Sequence, residues 1–352
     1  MIKRRRSRKI YIGSVAVGGD ALISVQSMTK TDTRDIQATL AQIRELEECG
    51  CEIIRCAVPD MEAAAALKEI KKAVHIPLVA DIHFDYRLAL EAIRSGVDGL
   101  RLNPGNIGER DRVEQVVRAA GEQNIPIRIG VNFGSLPANL DTRLSLPEKM
   151  VEAAMQHIRL LENLDFNLIE ISLKAFDVPV TLDAYRLMAD RVDYPFHIGI
   201  TESGTPRQGM LRSAVGLGIL LHEGLGDTVR VSLTGPPQDE VFAGYEILKS
   251  LNLRQRGPIL VSCPTCGRSE TDIVSLALAV EQYLSRVRQP LKVAVMGCVV
   301  NGPGEARDAD IGVACGKGKG VIFKQGQPVR TVAEKDILAE LIREIESLLV
   351  NQ

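Results

Sequence analysis

The chain has 352 residues, 45% of them hydrophobic and 25% charged. That composition excludes disorder or a fibrous architecture for its bulk and suits one large domain with a smaller one. Its 43 Lys and Arg against 45 Asp and Glu give a net charge of −2, too balanced for a general nucleic-acid binder. No apolar run approaches the roughly 18 residues of a membrane span, and no apolar stretch of a secretory leader follows the basic start, so a cytosolic protein is expected.

Lys3, Arg4, Arg5, Arg6, Arg8 and Lys9 crowd the start and read as a solvated tail, with an electrostatic nucleic-acid arm as the lesser reading. Aromatic residues are scarce and Trp is absent, so no platform for stacking bases is visible. Residues 10–20 have the pattern of a small hairpin. Apolar strand-like runs then recur at 22–26, 52–57, 77–80, 97–102, 126–131, 167–172, 196–200 and 227–232, with amphipathic helical stretches between them. One helix begins at Ser145, which forms a capping box with Glu148 around Pro147.

Eight such units predict an α/β fold with an N-terminal (β/α)8 barrel, whose usual size is about 250 residues. The hairpin would then plug the bottom of that barrel. A doubly wound sheet is the alternative, but no strand is followed by a good G-x-G-x-x-G loop. The boundaries expected are 1–252 for the barrel and 253–352 for a compact α+β unit.

Barrel enzymes work at the ends of their strands, and the polar residues there form a pattern. Arg55 ends the second run, Asp81 and His83 follow the third, Arg101 and Asn103 end the fourth, and Arg128 and Asn132 the fifth. Lys174 follows the sixth, Glu202 the seventh, and Arg230 and Ser232 lie at the eighth. Five cations at one mouth need anions, and Asp81 and Glu202 are too few; a multiply phosphorylated substrate is the favoured answer. Any one arginine taken alone reads as a salt bridge. Glu202 is a candidate proton donor or acceptor, or else a counter-ion. His75, His83, His157, His197 and His222 give no helical ligand pair, so a His-based zinc site is unsupported. Cys49, Cys51 and Cys56 read as small buried apolar residues.

In the last hundred residues, a strand-like run at 258–262 delivers Cys263-Pro-Thr-Cys266. A helix follows, then a strand at 291–296 that ends in Gly297-Cys298. Two short strands at 310–314 and 320–324 and a helix at 333–349 complete the unit. A zinc ribbon would need a second C-x-x-C, and a thioredoxin-type dithiol would leave Cys298 unexplained. Three thiolates from two strand ends suit an iron–sulfur cluster. Spacing alone leaves two candidates for the fourth ligand, Cys315 and Glu305. The segment 316–320, Gly-Lys-Gly-Lys-Gly, reads as a hairpin turn.

The motifs Val25-Gln-Ser-Met-Thr29, Val79-Ala-Asp-Ile-His-Phe-Asp85, Arg101-Leu-Asn-Pro-Gly-Asn106, Arg128-Ile-Gly-Val-Asn132, Gly199-Ile-Thr-Glu202 and Arg230-Val-Ser232 lead to a resemblance. With Cys263-Pro-Thr-Cys266 and Gly297-Cys-Val-Val-Asn-Gly-Pro-Gly-Glu305 they run almost end to end. The chain resembles the bacterial 4-hydroxy-3-methylbut-2-enyl diphosphate synthase family, in its short two-domain form.

That resemblance implies a [4Fe–4S] cluster held by Cys263, Cys266, Cys298 and Glu305, with Asn301 beside it. It implies substrate contacts from Arg55, Arg101, Arg128, Asn132, Lys174, Arg230 and Ser232. The implied reaction is reductive dehydroxylation of 2-C-methyl-D-erythritol 2,4-cyclodiphosphate with electrons from flavodoxin or ferredoxin, and a proton managed by Glu202. A homodimer is implied too, the cluster domain of one subunit closing over the barrel of the other. Cys56, Phe176 and Gly235-Pro-Pro are flanking departures from the pattern. Competing readings are a non-redox phosphate- or pterin-binding barrel transferase with a structural zinc site, and an iron–sulfur electron-transfer or sensor module.

Overall fold

The structure, a computed structural model, describes residues 2–102, 110–137, 140–266, 269, 271–298, 304 and 306–350. The chain divides into two compact units, Met1–Arg254 and Gln255–Gln352.

In the first unit, eight parallel strands follow one another around a ring: Ser24–Met28, Ile53–Ala57, Leu78–Asp81, Gly99–Leu102, Ile127–Asn132, Ile169–Lys174, His197–Ile198 and Thr228–Val229. The last pairs with the first, and a bridge between Ile171 and Phe196 closes the remaining gap. This is a TIM barrel with helices outside it. Strand faces toward the helices carry Ile54, Leu78, Leu100, Ile127 and Ile169, packed on Leu46, Leu67, Ile93, Val116 and Ile158 in one apolar layer. Aspartates at helix starts fix the loops: the Asp60, Asp85 and Asp177 side chains accept backbone N–H bonds of the first turn. The expected capping box of Ser145 and Glu148 is present.

The last two strands are shorter than their apolar runs, 196–200 and 227–232, suggested. Ile200 and Val231 are buried, yet beyond Ile198 and Val229 the backbone leaves the ladder. Apolarity reports burial there, not strand pairing.

The hairpin forms as expected, Ile10–Ile12 against Val15–Val17, and its Ile10, Ile12 and Val17 pack on Ile53 and Val79 at the strand starts. The basic segment before it is no solvated tail. Arg4 pairs with Asp227 at 2.7 Å, Arg5 donates to the Val192 carbonyl at 2.7 Å and covers the Phe196 ring at 3.9 Å, and Arg8 pairs with Asp193 at 2.7 Å. Charge density in the sequence suggested solvation; these partners, some 190 to 220 residues away, make the segment a brace under the last two strands.

The second unit is a five-stranded sheet in the order Ile259–Ser262, Lys292–Met296, Ile311–Gly316, Lys319–Lys324, Gln327–Ala333, parallel over the first three and antiparallel after. Helices Ile273–Leu284 and Ile337–Val350 lay Val280, Leu284, Leu341 and Ile345 on Val293, Val295 and Val313. Residues 317–318 turn the expected hairpin, with Gly318 at φ 70°. Strand Gln327–Ala333 was not foreseen. It is a mostly exposed edge without alternating apolar residues, and it moves the start of the final helix from 333 to 337. Among the described residues no helix is long and apolar enough to cross a membrane.

Candidate functional site

Strand register assembles the mouth of the barrel. Asp81 pairs with Arg101, Arg101 with Arg128, and Arg128 with Glu170 across four adjacent strands. Paired residues of parallel strands share a face, so a single inward row carries acid, base, base, acid. All four are buried. Four residues further along, Asn132 pairs with Lys174, and Arg55 and Arg230 enter from the strands on either side of Ser24–Met28.

The ion pairs follow this order. Asp81 meets Arg101 at 3.2 Å, Arg55 at 3.5 Å and His83 at 3.5 Å. Arg128 meets Glu170 at 3.5 Å and donates to Gln26 Oε1. Glu170 also accepts a 2.7 Å bond from Thr228 Oγ1, which lies 2.7 Å from His197 Nδ1. Arg230 meets Glu240 at 3.6 Å. Glu170 and Glu240 are counter-ions that the sequence reading missed. With Asp81 they give three buried carboxylates against Arg55, Arg101, Arg128, Lys174 and Arg230, an excess of two positive charges.

That excess is visible in individual groups. Lys174 is 6% exposed, and among the described residues no carboxylate lies within ion-pair distance of it. Burial and the surrounding arginines 230, 55, 128 and 101 drive its ammonium well below the ordinary lysine value. Burial likewise lowers Arg55 and Arg128, with Asp81 and Glu170 respectively opposing the shift. Burial alone would raise Asp81, but Arg55, His83 and Arg101 together outweigh it and hold that carboxyl low. Among the described residues, buried Arg128 Nε and Nη2, Gln26 Nε2 and Arg230 Nε have no hydrogen-bond partner. Desolvated donors left over after the protein's own carboxylates are used are what an anionic ligand needs.

Two glycines make room. A Cβ on Gly130 would stand 2.5 Å from Arg101 Nε, and one on Gly199 would stand 3.0 Å from Lys174 Nζ. Both lie in or beside strands, where glycine costs stability and marks a close approach.

Of the other predicted residues, His83 is exposed at the rim, and Asn132 and Ser232 are half-buried. Glu202 is exposed, with its backbone in the left-handed region at φ 55°. Phe176, a departure from the family pattern, carries the Arg212 guanidinium on its ring at 4.4 Å. Cys56 is buried beside Thr29. Asn103, Asn301 and Glu305 lie outside the described residues.

In the second unit, Cys263 and Cys298 follow the adjacent parallel strands Ile259–Ser262 and Lys292–Met296. The Gly297 N–H donates to Cys263 Sγ at 3.0 Å, the kind of backbone bond that stabilises a ligating thiolate. Cys266 is exposed and Cys298 half-exposed. Among the described residues, no three His, Cys, Asp or Glu stand together as a metal site. Cys315 differs from the other three: it is buried in the core with Val313 and Ile337, and burial pushes its thiol up to about 11. Three accessible thiols at neighbouring strand ends fit a cluster; Cys315 fits packing.

Comparisons with known proteins agree with both halves. The family model described as the GcpE TIM-barrel domain matches residues 7–245, and that of the GcpE protein C-terminal domain matches 259–347. The chain is 64% identical over 348 residues to 4-hydroxy-3-methylbut-2-en-1-yl diphosphate synthase (flavodoxin) of Dehalococcoides mccartyi strain CBDB1, covering 99% of this chain and 100% of that one. It is 59% identical to the enzyme of that name from Geobacter sulfurreducens, covering 99% of each. Among solved structures, dihydropteroate synthase from Stenotrophomonas maltophilia aligns with 70% of this chain and 97% of its own at TM-score 0.53 and 15% identity. That likeness concerns the barrel fold alone.

Proposed function

The chain belongs to the GcpE family, and on that premise we propose how its residues divide the work of a 4-hydroxy-3-methylbut-2-enyl diphosphate synthase. It is an oxidoreductase of the methylerythritol phosphate route to isoprenoids, converting 2-C-methyl-D-erythritol 2,4-cyclodiphosphate, two electrons and a proton to 4-hydroxy-3-methylbut-2-enyl diphosphate and water. The observation that carries the assignment of roles is the buried excess of cationic groups at the barrel mouth, with guanidinium N–H groups left unpartnered among the described residues.

Residues 1–252 bind substrate in this reading. Arg55, Arg101, Arg128, Lys174 and Arg230 hold the diphosphate, helped by Asn132, Ser232, His83 and Asn103. Arginine forks fix the phosphate oxygens, and the dry surroundings strengthen each contact. Fixing both phosphates orients the rest of the substrate against the mouth. Glu202, exposed on a left-handed turn, delivers the proton with which the departing hydroxyl leaves as water.

Residues 253–352 form the cluster domain. Cys263, Cys266, Cys298 and Glu305 would hold a [4Fe–4S] cluster, which when bound supplies single electrons and a Lewis-acidic iron; Asn301 is proposed as a further substrate contact. Flavodoxin is the electron donor of the named relatives and is proposed here, with ferredoxin as the other class of donor. A homodimer is proposed, supported by the exposed apolar stripe Leu211, Val215 and Ile219 along helix Pro206–His222. A cytoplasmic setting is proposed, and the balanced charge supports the absence of nucleic-acid partners.

The test is anaerobic purification followed by turnover. A brown protein carrying iron and acid-labile sulfide that reduces the cyclodiphosphate with flavodoxin is the expected result. A colourless zinc protein would overturn the cluster, and an iron protein without turnover would favour a sensor.

A further inference from the structure

The strand Thr228–Val229 is two residues long, yet the chain just beyond it carries Arg230 and Ser232. Arg230 N–H still reaches the Ile198 carbonyl at 3.0 Å. After that, side chains replace the ladder. Glu240, in the first turn of helix Pro237–Ser250, is 1% exposed and lies at the centre. Its Oε1 accepts the Leu233 N–H at 3.0 Å and lies 3.2 Å from Lys30 Nζ. Its Oε2 accepts from Ser27 Oγ at 3.2 Å and faces Arg230 at 3.6 Å. Lys30 in turn donates to the Leu233 carbonyl at 2.8 Å and to that of Gly235.

The same loop holds the segment with Glu202. Ser203 Oγ donates to the Ser232 carbonyl, and Thr234 N–H to that of Gly204 at 3.0 Å. The two loops are thus bonded to each other, and Leu233 is bonded through its N–H to Glu240 and through its carbonyl to Lys30.

We propose that Glu240 and Lys30 are positioning residues of the substrate site, a clasp that holds Arg230, Ser232 and the Glu202 turn in register with the first barrel strand. The proposal rests on the reading of the mouth as the cyclodiphosphate site and deepens it. Neither residue reaches substrate. Glu240 acts by pairing with the Arg230 side chain and by holding the Leu233 N–H just after Ser232; Lys30 gives that buried carboxylate a second cation. A site out of place by a fraction of an ångström loses binding as well as rate.

The experiment measures cyclodiphosphate binding by calorimetry on oxidised holoenzyme without electron donor, alongside kcat/KM and the melting temperature. Glu240→Gln keeps the shape and an acceptor for Leu233 but loses the charge, and should weaken binding by about tenfold or more. Lys30→Met should weaken it severalfold at an unchanged melting temperature, its side chain being 34% exposed. The double variant should bind no worse than the weaker single, because both act through one loop. A merely structural role would lower the melting temperature and leave the affinity of the folded enzyme intact. Wild-type affinity in a folded Glu240→Gln enzyme overturns the proposal; where that variant does not fold, wild-type affinity in Lys30→Met does. Arg230→Ala separates this from the site itself: if it too binds normally, the reading of the mouth fails, and if it alone loses binding, only the clasp fails.

Discussion

Gly130 leaves the space that the Arg101 guanidinium fills: a Cβ there would stand 2.5 Å from Arg101 Nε and 2.9 Å from Nη2. Arg101 is buried and tied to Asp81 at 3.2 Å, so it has little freedom to yield. Gly130→Ala should therefore displace the arginine while the strand itself gains from losing a glycine. We expect KM for the cyclodiphosphate to rise about tenfold, on the scale of one charge-assisted hydrogen bond, with some loss of stability from the disturbed Asp81–Arg101 pair. Unchanged KM would mean that Arg101 does not touch substrate.

Arg128 and Lys174 should part company in stability. Arg128→Met leaves Glu170 buried without its cation and should cost on the order of 3 kcal/mol. Lys174→Met removes a buried cation with no carboxylate within ion-pair distance among the described residues, and should be neutral or stabilising. Both should lose tenfold to over a hundredfold in kcat/KM, about 1.5–3 kcal/mol, with iron content unchanged. Denaturant titration alongside steady-state kinetics checks both halves; equal stability changes would contradict the charge balance described for the mouth.

Cys315→Ser should keep both iron and turnover, because Cys315 lies in the core with Val313 and Ile337 and its thiol is pushed up to about 11. Cys263→Ser and Cys298→Ser should lose iron. Glu305→Ala should retain much of its iron under anaerobic handling and lose most activity, a carboxylate being the harder and more exchangeable ligand. Iron lost with Cys315, together with full activity without Glu305, would sink the ligand assignment.

His157, on the buried face of helix Leu146–Glu162, is lowered to about 4 by burial. Its folded value lies below that of the unfolded chain, near 6.5, so the unfolded state binds the proton first. The associated stability is complete above pH 6.5 and is lost as the pH falls toward 4, about 3 kcal/mol in all. Replacing His157 with Gln should flatten the stability profile across that interval. An unaltered profile would place the acid-sensitive group elsewhere.

The sequence made the cations of the mouth legible because each ends an apolar run, and strand ends in a barrel share one face. Their counter-ions were hidden. Glu240 looks like any acidic residue in a helix's first turn, where it is expected for its own sake. Glu170 alternates with Ser172 and Lys174, a signal that could have turned it inward, but its partner Arg128 is set by register across strands. The N-terminal arginines misled for the same reason: local charge density is readable, whereas the carbonyls of Val192 and Tyr194 that receive Arg5 are brought near only by barrel closure.

The seam of the barrel joins Ser24–Met28 to Thr228–Val229, with Arg4 bonded to Asp227 beside it, so the pieces that meet lie more than two hundred residues apart. During synthesis the first strand leaves the ribosome long before its partner exists. Until then the growing sheet keeps two open edges, which invite pairing with other chains. The pairings of Arg4 with Asp227, Arg5 with the Val192 carbonyl and Arg8 with Asp193 need the last part of the barrel, so the amino-terminal brace and the final strands are completed late together. Barrel closure is thus a late event in the making of each chain, and a chain cut short before residue 192 keeps an open edge strand and an arginine arm without these partners.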